Sequence, residues 1–379
     1  MRRSKMKAVK SILILLIFIS VTTFTATYVS YAATHQDKIA KAREEVDKNP
    51  ELLKVFRFFM LSPGDLEQEI ARFDSGKDDA EEEWLIDQAS LKNIDKLGST
   101  RSLEILPLID WKTSDKKLKG EPGVSYLIKT DHTTVLFDVG FNQKTENPSP
   151  LMHNMKELGI TLDDFDSIVI SHNHPDHVGG ARWGDQNTLS LDYRQVDLEG
   201  KKVYTPIPMS YPGLEAMCTE KPTKIAEGVT TIGTINNFFF FMGETPEQAL
   251  AVNVKNLGIV IIVGCGHQAV EKIIDRAKIL FSEPIFAFIG GLHLPVTDSR
   301  IIMNDIKIQK YVGIGRYPWH PFTIDDVKKS IDHIKKANPK IIALSAHDSC
   351  DASIAIFKDA FRERYQDVVV GNPIVISPQ

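Results

Sequence analysis

The chain has 379 residues, 42% of them apolar and 25% charged, and a formal net charge of −5. That length exceeds what one small core needs and fits a large domain with an appendage. The net charge of −5 gives no basic face for a phosphate backbone, which makes nucleic acid a poor candidate partner, and the cysteines Cys218, Cys265 and Cys350 are too few and too scattered for a disulfide framework.

Arg2, Arg3, Lys5, Lys7 and Lys10 form a basic head, followed by an apolar run from Ile12 to Val21 and a polar stretch ending Ser30-Tyr31-Ala32. This is the layout of a signal peptide cleaved after Ala32, or of an uncleaved membrane anchor, over residues 1–33. Either outcome places the remainder outside the cytoplasm: secreted, periplasmic or membrane-attached. Residues 34–100 are rich in Glu, Lys, Ala and Leu and predict a helical extension, broken at Asn49-Pro50 and again at Ser62-Pro63-Gly64-Asp65. Nothing in that segment points to chemistry.

From Arg101 onward short apolar runs alternate with helical stretches. Strands are predicted at Leu103–Ile109, Val124–Lys129, Thr134–Asp138, Ser167–Ser171, Ile259–Val263, Ile285–Ile289 and Ile341–Ser345, with helices at Ala269–Leu280 and Asp326–Ala337. A layered α/β domain over 101–379 follows.

The strand at Ser167 runs straight into His172-Asn173-His174-Pro175-Asp176-His177. Imidazole and carboxylate are the ligands that zinc, manganese and iron prefer, and Pro175 turns the chain so that these side chains converge. A solvated polar turn does not account for four ligand-type residues at this density. His35, His132, His153 and His333 are each explained by a surface position, and Cys218 and Cys350 by burial as small apolar residues.

The run resembles the HxHxDH motif of the metallo-β-lactamase superfamily, and the likeness extends from Leu103 to the C-terminus. The resemblance implies an αββα sandwich with two divalent metal ions at the edge between its sheets. It assigns His172 and His174 to one metal and Asp176 and His177 to the other. It also makes Asp138, in Thr134-Val-Leu-Phe-Asp138-Val-Gly140, a supporting carboxylate, and His347 the last ligand of the second metal. The segments from Pro246-Glu-Gln-Ala-Leu to Ile261-Ile-Val-Gly-Cys265-Gly-His267, then Gly290-Gly-Leu-His293-Leu, then Ser345-Ala-His347-Asp-Ser-Cys350 resemble, in order, those of the branch named for a dihydropterin phosphate synthase.

Relatives place one further histidine between the motif and the next metal-binding strand, yet none occurs from Val178 to Gly266. His267 is the expected substitute, because Cys265 and His267 sit two apart at a strand end and face the same way. Cys265 is either a thiolate ligand or a buried, protonated neighbour. His293 is a ligand, a substrate contact or a buried histidine satisfied by backbone. Trp319 and His320, in the aromatic loop Tyr317-Pro-Trp-His-Pro-Phe322, are candidates for the substrate wall.

The expected function is an exported metal-dependent hydrolase of a small ester, lactone, lactam or phosphoester. It would use a metal-bridging hydroxide with Asp176 nearest the nucleophile; zinc is the expected metal, and manganese or iron fits the same ligands. Group transfer on a pterin or ribose-phosphate-like substrate, and a metal-binding module without catalysis, are the alternatives.

Overall fold

A computed structural model describes residues 36–62 and 64–378, and the basic head and apolar run of 1–33 lie outside the described residues. Among those residues no helix is long and apolar enough to cross a membrane. The described residues divide into two compact units, one ending at Ala71 and one beginning at Arg72.

In the first unit a helix over 36–48 is followed by the helix Pro50–Phe58. Asn49 separates them: its Oδ1 accepts from the N–H groups of Glu51 and Leu52, both at 3.1 Å, so the break at Asn49-Pro50 is an N-cap. Leu52, Val55 and Phe56 form the buried stripe of that helix. The long helix Leu66–Ser90 begins in this unit and ends in the second. Helix stops at Ser90 rather than continuing to Thr100, because residues 91–100 are held by strand-like and loop contacts. Ile94 N–H donates to Leu280 O, and Thr100 bridges Val254.

The second unit holds two large sheets and two two-stranded ribbons, Phe238–Phe239 with Gly243–Glu244 and Ile302–Met303 with Ile306–Lys307. The larger has strand order Ile374–Ile376, Leu103–Ile109, Ser125–Thr130, Thr134–Phe137, Ser167–Val169, Lys202–Thr205, Leu214–Cys218 and Ser210–Tyr211. The smaller runs Ile341–Leu344, Ile285–Gly290, Gly258–Val263, Glu247–Val254, Val229–Ile235 and Lys224–Ala226. Alternation along Gly258–Val263 explains the layering. Val260 and Ile262 face the other sheet, packing with Ile128, Val135, Phe137 and Val169. Ile259, Ile261 and Val263 face outward onto the helices Val270–Leu280, Ile324–Ala337 and Asp351–Phe361. The outer face of the larger sheet carries a third apolar layer around Leu151, Met155 and Ile168, which includes the helix Pro150–Glu157. The result is the expected αββα sandwich.

Parallel pairing brings the motif-bearing strand ends together. Thr134–Phe137 pairs parallel with Ser167–Val169 in one sheet, and Gly258–Val263, Ile285–Gly290 and Ile341–Leu344 are parallel neighbours in the other. The two sheets meet at this edge, where Gln248 N–H donates to Ser171 O at 2.9 Å.

Candidate metal centre

The strand Ser167–Val169 ends one turn before the short helix Pro175–Val178, with Pro175 at its first position. That helix is tied back to the larger sheet: Val124 N–H donates to Asp176 O at 3.1 Å and Val139 N–H to His177 O at 2.9 Å. His172, Asp176 and His177 are thereby buried, and His174 is half-buried.

The hydrogen bonds fix which nitrogen each imidazole presents. Ser171 Oγ donates to Asp138 Oδ2 at 2.7 Å and therefore accepts from His172 Nδ1 at 2.9 Å, leaving His172 Nε2 with its lone pair. That Nε2 lies 2.9 Å from His174 Nδ1. His177 Nδ1 is 2.7 Å from Asp138 Oδ2, and its Nε2 faces Cys265 Sγ at 3.1 Å. Ser345 Oγ repeats the device, donating to Asp110 Oδ2 at 2.6 Å and accepting from His347 Nδ1 at 2.6 Å, so His347 Nε2 reaches Cys265 Sγ at 3.2 Å. His267 Nδ1 donates to Gly313 O at 3.0 Å, freeing its Nε2.

The freed atoms form two groups that share one sulfur. Ligand atoms of Asp176, His177, Cys265 and His347 lie within 4.8 Å of one another, as do those of His172, Cys265 and His267. The His267 ring is 5.0 Å from that of His172 and 4.9 Å from that of His174. His267 thus stands beside both histidines of the motif. His293 does not take that position. Its Nε2 faces the carbonyls of Val312 at 3.0 Å and Gln309 at 3.2 Å, although Cys265, His293 and Asp348 form a further cluster of ligand atoms.

Burial, above all, pushes His172, His267 and His347 well below the ordinary imidazole range, and it brings His174 down to about 4. These rings are neutral at physiological pH, the form that binds metal. Burial also works against ionising Asp176, but His177, which Asp138 and Asp176 keep protonated against the cost of burial, outweighs it and holds the carboxylate well below its usual range. Burial, followed by Asp176, Asp348 and Glu247, raises the Cys265 thiol well above its ordinary value. A cation beside the sulfur would reverse that preference. Imidazoles with one nitrogen anchored and the other aimed at a shared point, next to an ionised carboxylate and a thiol, fit a divalent metal such as zinc, which would take the place of the His177 proton.

Two expected residues are not brought to the centre. Trp319 stacks on Tyr317 at 4.8 Å and meets Phe240 edge-on at 5.5 Å, while Phe239 is the ring against His267 at 4.9 Å. His320 is exposed. The aromatic loop packs on itself and on Phe240 because its rings find apolar partners there. His333, expected at the surface, lines a cavity that His267 and His293 also line. Cys218 is half-exposed rather than buried, and Cys350 is buried as expected.

The pattern of ligand residues did not point to Glu247, Asp110 or Asp348. Glu247 is fully buried at the start of its strand, and its carboxylate accepts the N–H groups of Cys265 and Gly266 at 2.9 Å and of His267 at 2.7 Å. It therefore shapes the turn that presents both candidate ligands. Asp110 accepts from Ala346 N–H at 3.1 Å as well as from Ser345, and Asp348 accepts from His293 N–H at 2.7 Å. The available signal was positional: Asp110 follows an apolar strand just as Asp138 does.

Residues 118–188 match the family model described as the metallo-beta-lactamase superfamily. A curated relative, the 7,8-dihydropterin-6-methyl-4-(beta-D-ribofuranosyl)-aminobenzene-5'-phosphate synthase of Methanocaldococcus jannaschii, is 23% identical over 258 residues, covering 58% of this chain and 87% of that protein. An uncharacterized protein of the same organism is 27% identical over 241 residues, covering 56% and 88%. Among solved structures, a metal-dependent hydrolase of the beta-lactamase superfamily superposes with a TM-score of 0.49 at 21% identity, covering 73% of this chain and all of that one.

Proposed function

We propose, from the match of residues 118–188 to the metallo-beta-lactamase superfamily model, that this chain is a metal-dependent hydrolase of a small ester, lactone, lactam or phosphoester. The observation that carries this reading is the pair of ligand groups joined at Cys265, one with His172 and His267 and the other with Asp176, His177 and His347. Two divalent ions held there would supply Lewis-acid activation of water and of the scissile carbonyl or phosphoryl oxygen.

The chain's own residues supply the rest. Asp138 and Ser171 hold the imidazoles of His177 and His172 in one orientation, and Ser345 with Asp110 does the same for His347. Asp176, kept ionised by His177, is placed to bind metal and to accept a hydrogen bond from the attacking water. The synthase-like relative keeps group transfer on a pterin or ribose-phosphate-like substrate as the second reading. Turnover of ester, lactone and phosphodiester panels, before and after chelation, separates the two. Hydrolysis of one class, lost on chelation and regained with zinc, manganese or iron, is the expected result. A metal-replete protein that hydrolyses no panel member would overturn the hydrolase reading.

A further inference from the structure

A cavity of about 320 Å³ adjoins the centre and shares His267 and His293 as part of its wall. Its floor is the start of the helix Val270–Leu280, reached through Gln268 and Ala269. No side chain caps this helix, so its first-turn N–H groups have no intrahelical acceptor, and Ala269, Val270, Glu271 and Lys272 at that end line the cavity. Ala269 holds a φ of +72°, a conformation that L residues rarely adopt, and it aims the helix start at this space.

Two buried polar groups on the same wall lack partners. Gln268 is 1% exposed, yet neither its amide nitrogen nor its oxygen makes a hydrogen bond, and His293 Nδ1 is likewise unpaired. Buried polar atoms are nearly always satisfied, so unpaired ones lining a cavity point to a ligand. Four cations, Lys77, Lys272, Arg316 and Lys329, and three carboxylates, Glu81, Glu271 and Asp326, line the space, and Lys329 lies 3.7 Å from Asp326. Lys272 is paired with Glu81 at 2.7 Å and Arg316 with Asp326 at 3.1 Å, whereas Lys77 Nζ donates only to the neutral amide of Asn237, at 2.7 Å. Burial lowers the Lys77 pKa, and the nearby Lys272 and Arg316 add to the effect. Asn237 in turn donates to His267 O at 2.6 Å, which links this lysine to the turn carrying the candidate ligands.

We propose that the cavity is an oxyanion pocket holding a phosphate monoester group of the substrate at the N-terminus of the helix Val270–Leu280, with Lys77 as its ionic partner. Its role in substrate binding rests on reading the adjoining centre as the reaction site. The anion site itself stands on the helix end, the unpaired amide and the lysine. Glu271, in the first turn, is the acid that a bound phosphate must turn toward solvent.

Inorganic phosphate, titrated by calorimetry into the full chain with its metal bound, tests the pocket without recourse to turnover. Phosphate should bind the wild type, and Lys77→Met should weaken it at least about tenfold with metal content unchanged, while Lys77→Arg restores part of the loss. Gln268→Leu is the second variant, because removing an unpaired buried amide leaves the fold intact; it should weaken phosphate about threefold or more. Absence of phosphate binding in the wild type, or undiminished binding in either folded variant, would overturn the proposal. Neither result bears on the hydrolase reading, which metal content and panel turnover decide.

Discussion

Each imidazole facing Cys265 has one nitrogen held by a neighbour, and His174 meets its partner differently, through the Nδ1 that lies 2.9 Å from His172 Nε2. His174 is also the half-buried member of the cluster, with a pKa pushed down to about 4 from 6.5 by burial. The sign of its pH dependence follows. Between those values the unfolded chain binds a proton at this position and the folded chain does not, so stability from this residue is present above pH 6.5 and is lost as pH falls toward 4. In metal-stripped protein, the wild type should therefore lose stability relative to His174→Gln as pH falls through that window. Parallel urea unfolding of the two proteins reads the difference, and a gap that does not change with pH would show that folding leaves the His174 pKa where it is in the unfolded chain.

The turns after the strands of the smaller sheet leave little space for substitution. A Cβ on Gly291 would lie 2.2 Å from Gly264 O, 2.7 Å from Asp348 Oδ2 and 2.8 Å from His347 Cε1. Gly291→Ala should therefore cost about 1–3 kcal/mol by overpacking and displace His347. Weaker metal retention should accompany the lower midpoint of thermal unfolding, and unaltered metal retention would mean that the turn yields elsewhere. At this scale the sequence was informative where periodicity was strong. The strand Leu103–Ile109 matched the apolar run residue for residue, and Ile341–Leu344 and Val270–Leu280 fell within a residue of expectation. Glu247–Val254 was less legible because a fully buried strand opening Glu-Gln carries neither alternation nor an apolar start. Its glutamate is explained by three backbone N–H groups that arrive from a turn 18 to 20 residues later. Trp319 lies apart from the ligand cluster for the opposite reason: an aromatic loop signals burial of its rings, and Tyr317 and Phe240 supply it.

Across the whole molecule, donors from both sheets meet at one edge. His172, His174, Asp176 and His177 come from the larger sheet, Cys265, His267 and His347 from the smaller, and Asp138 and Asp110 orient imidazoles on either side. The HxHxDH run was legible as a metal site because its residues are close in sequence. The pocket around Lys77 was not, because it gathers a lysine from the long helix, an unpaired glutamine and a helix start that are adjacent only in space. Metal content most directly tests whether this edge is a metal centre. Protein purified without added metal should carry about two divalent ions per chain, and Asp176→Ala should carry measurably less while keeping its fold, because the ligands lie at the edge of the sandwich. Full occupancy in Asp176→Ala, or a wild type that binds no divalent ion, would contradict the assignment.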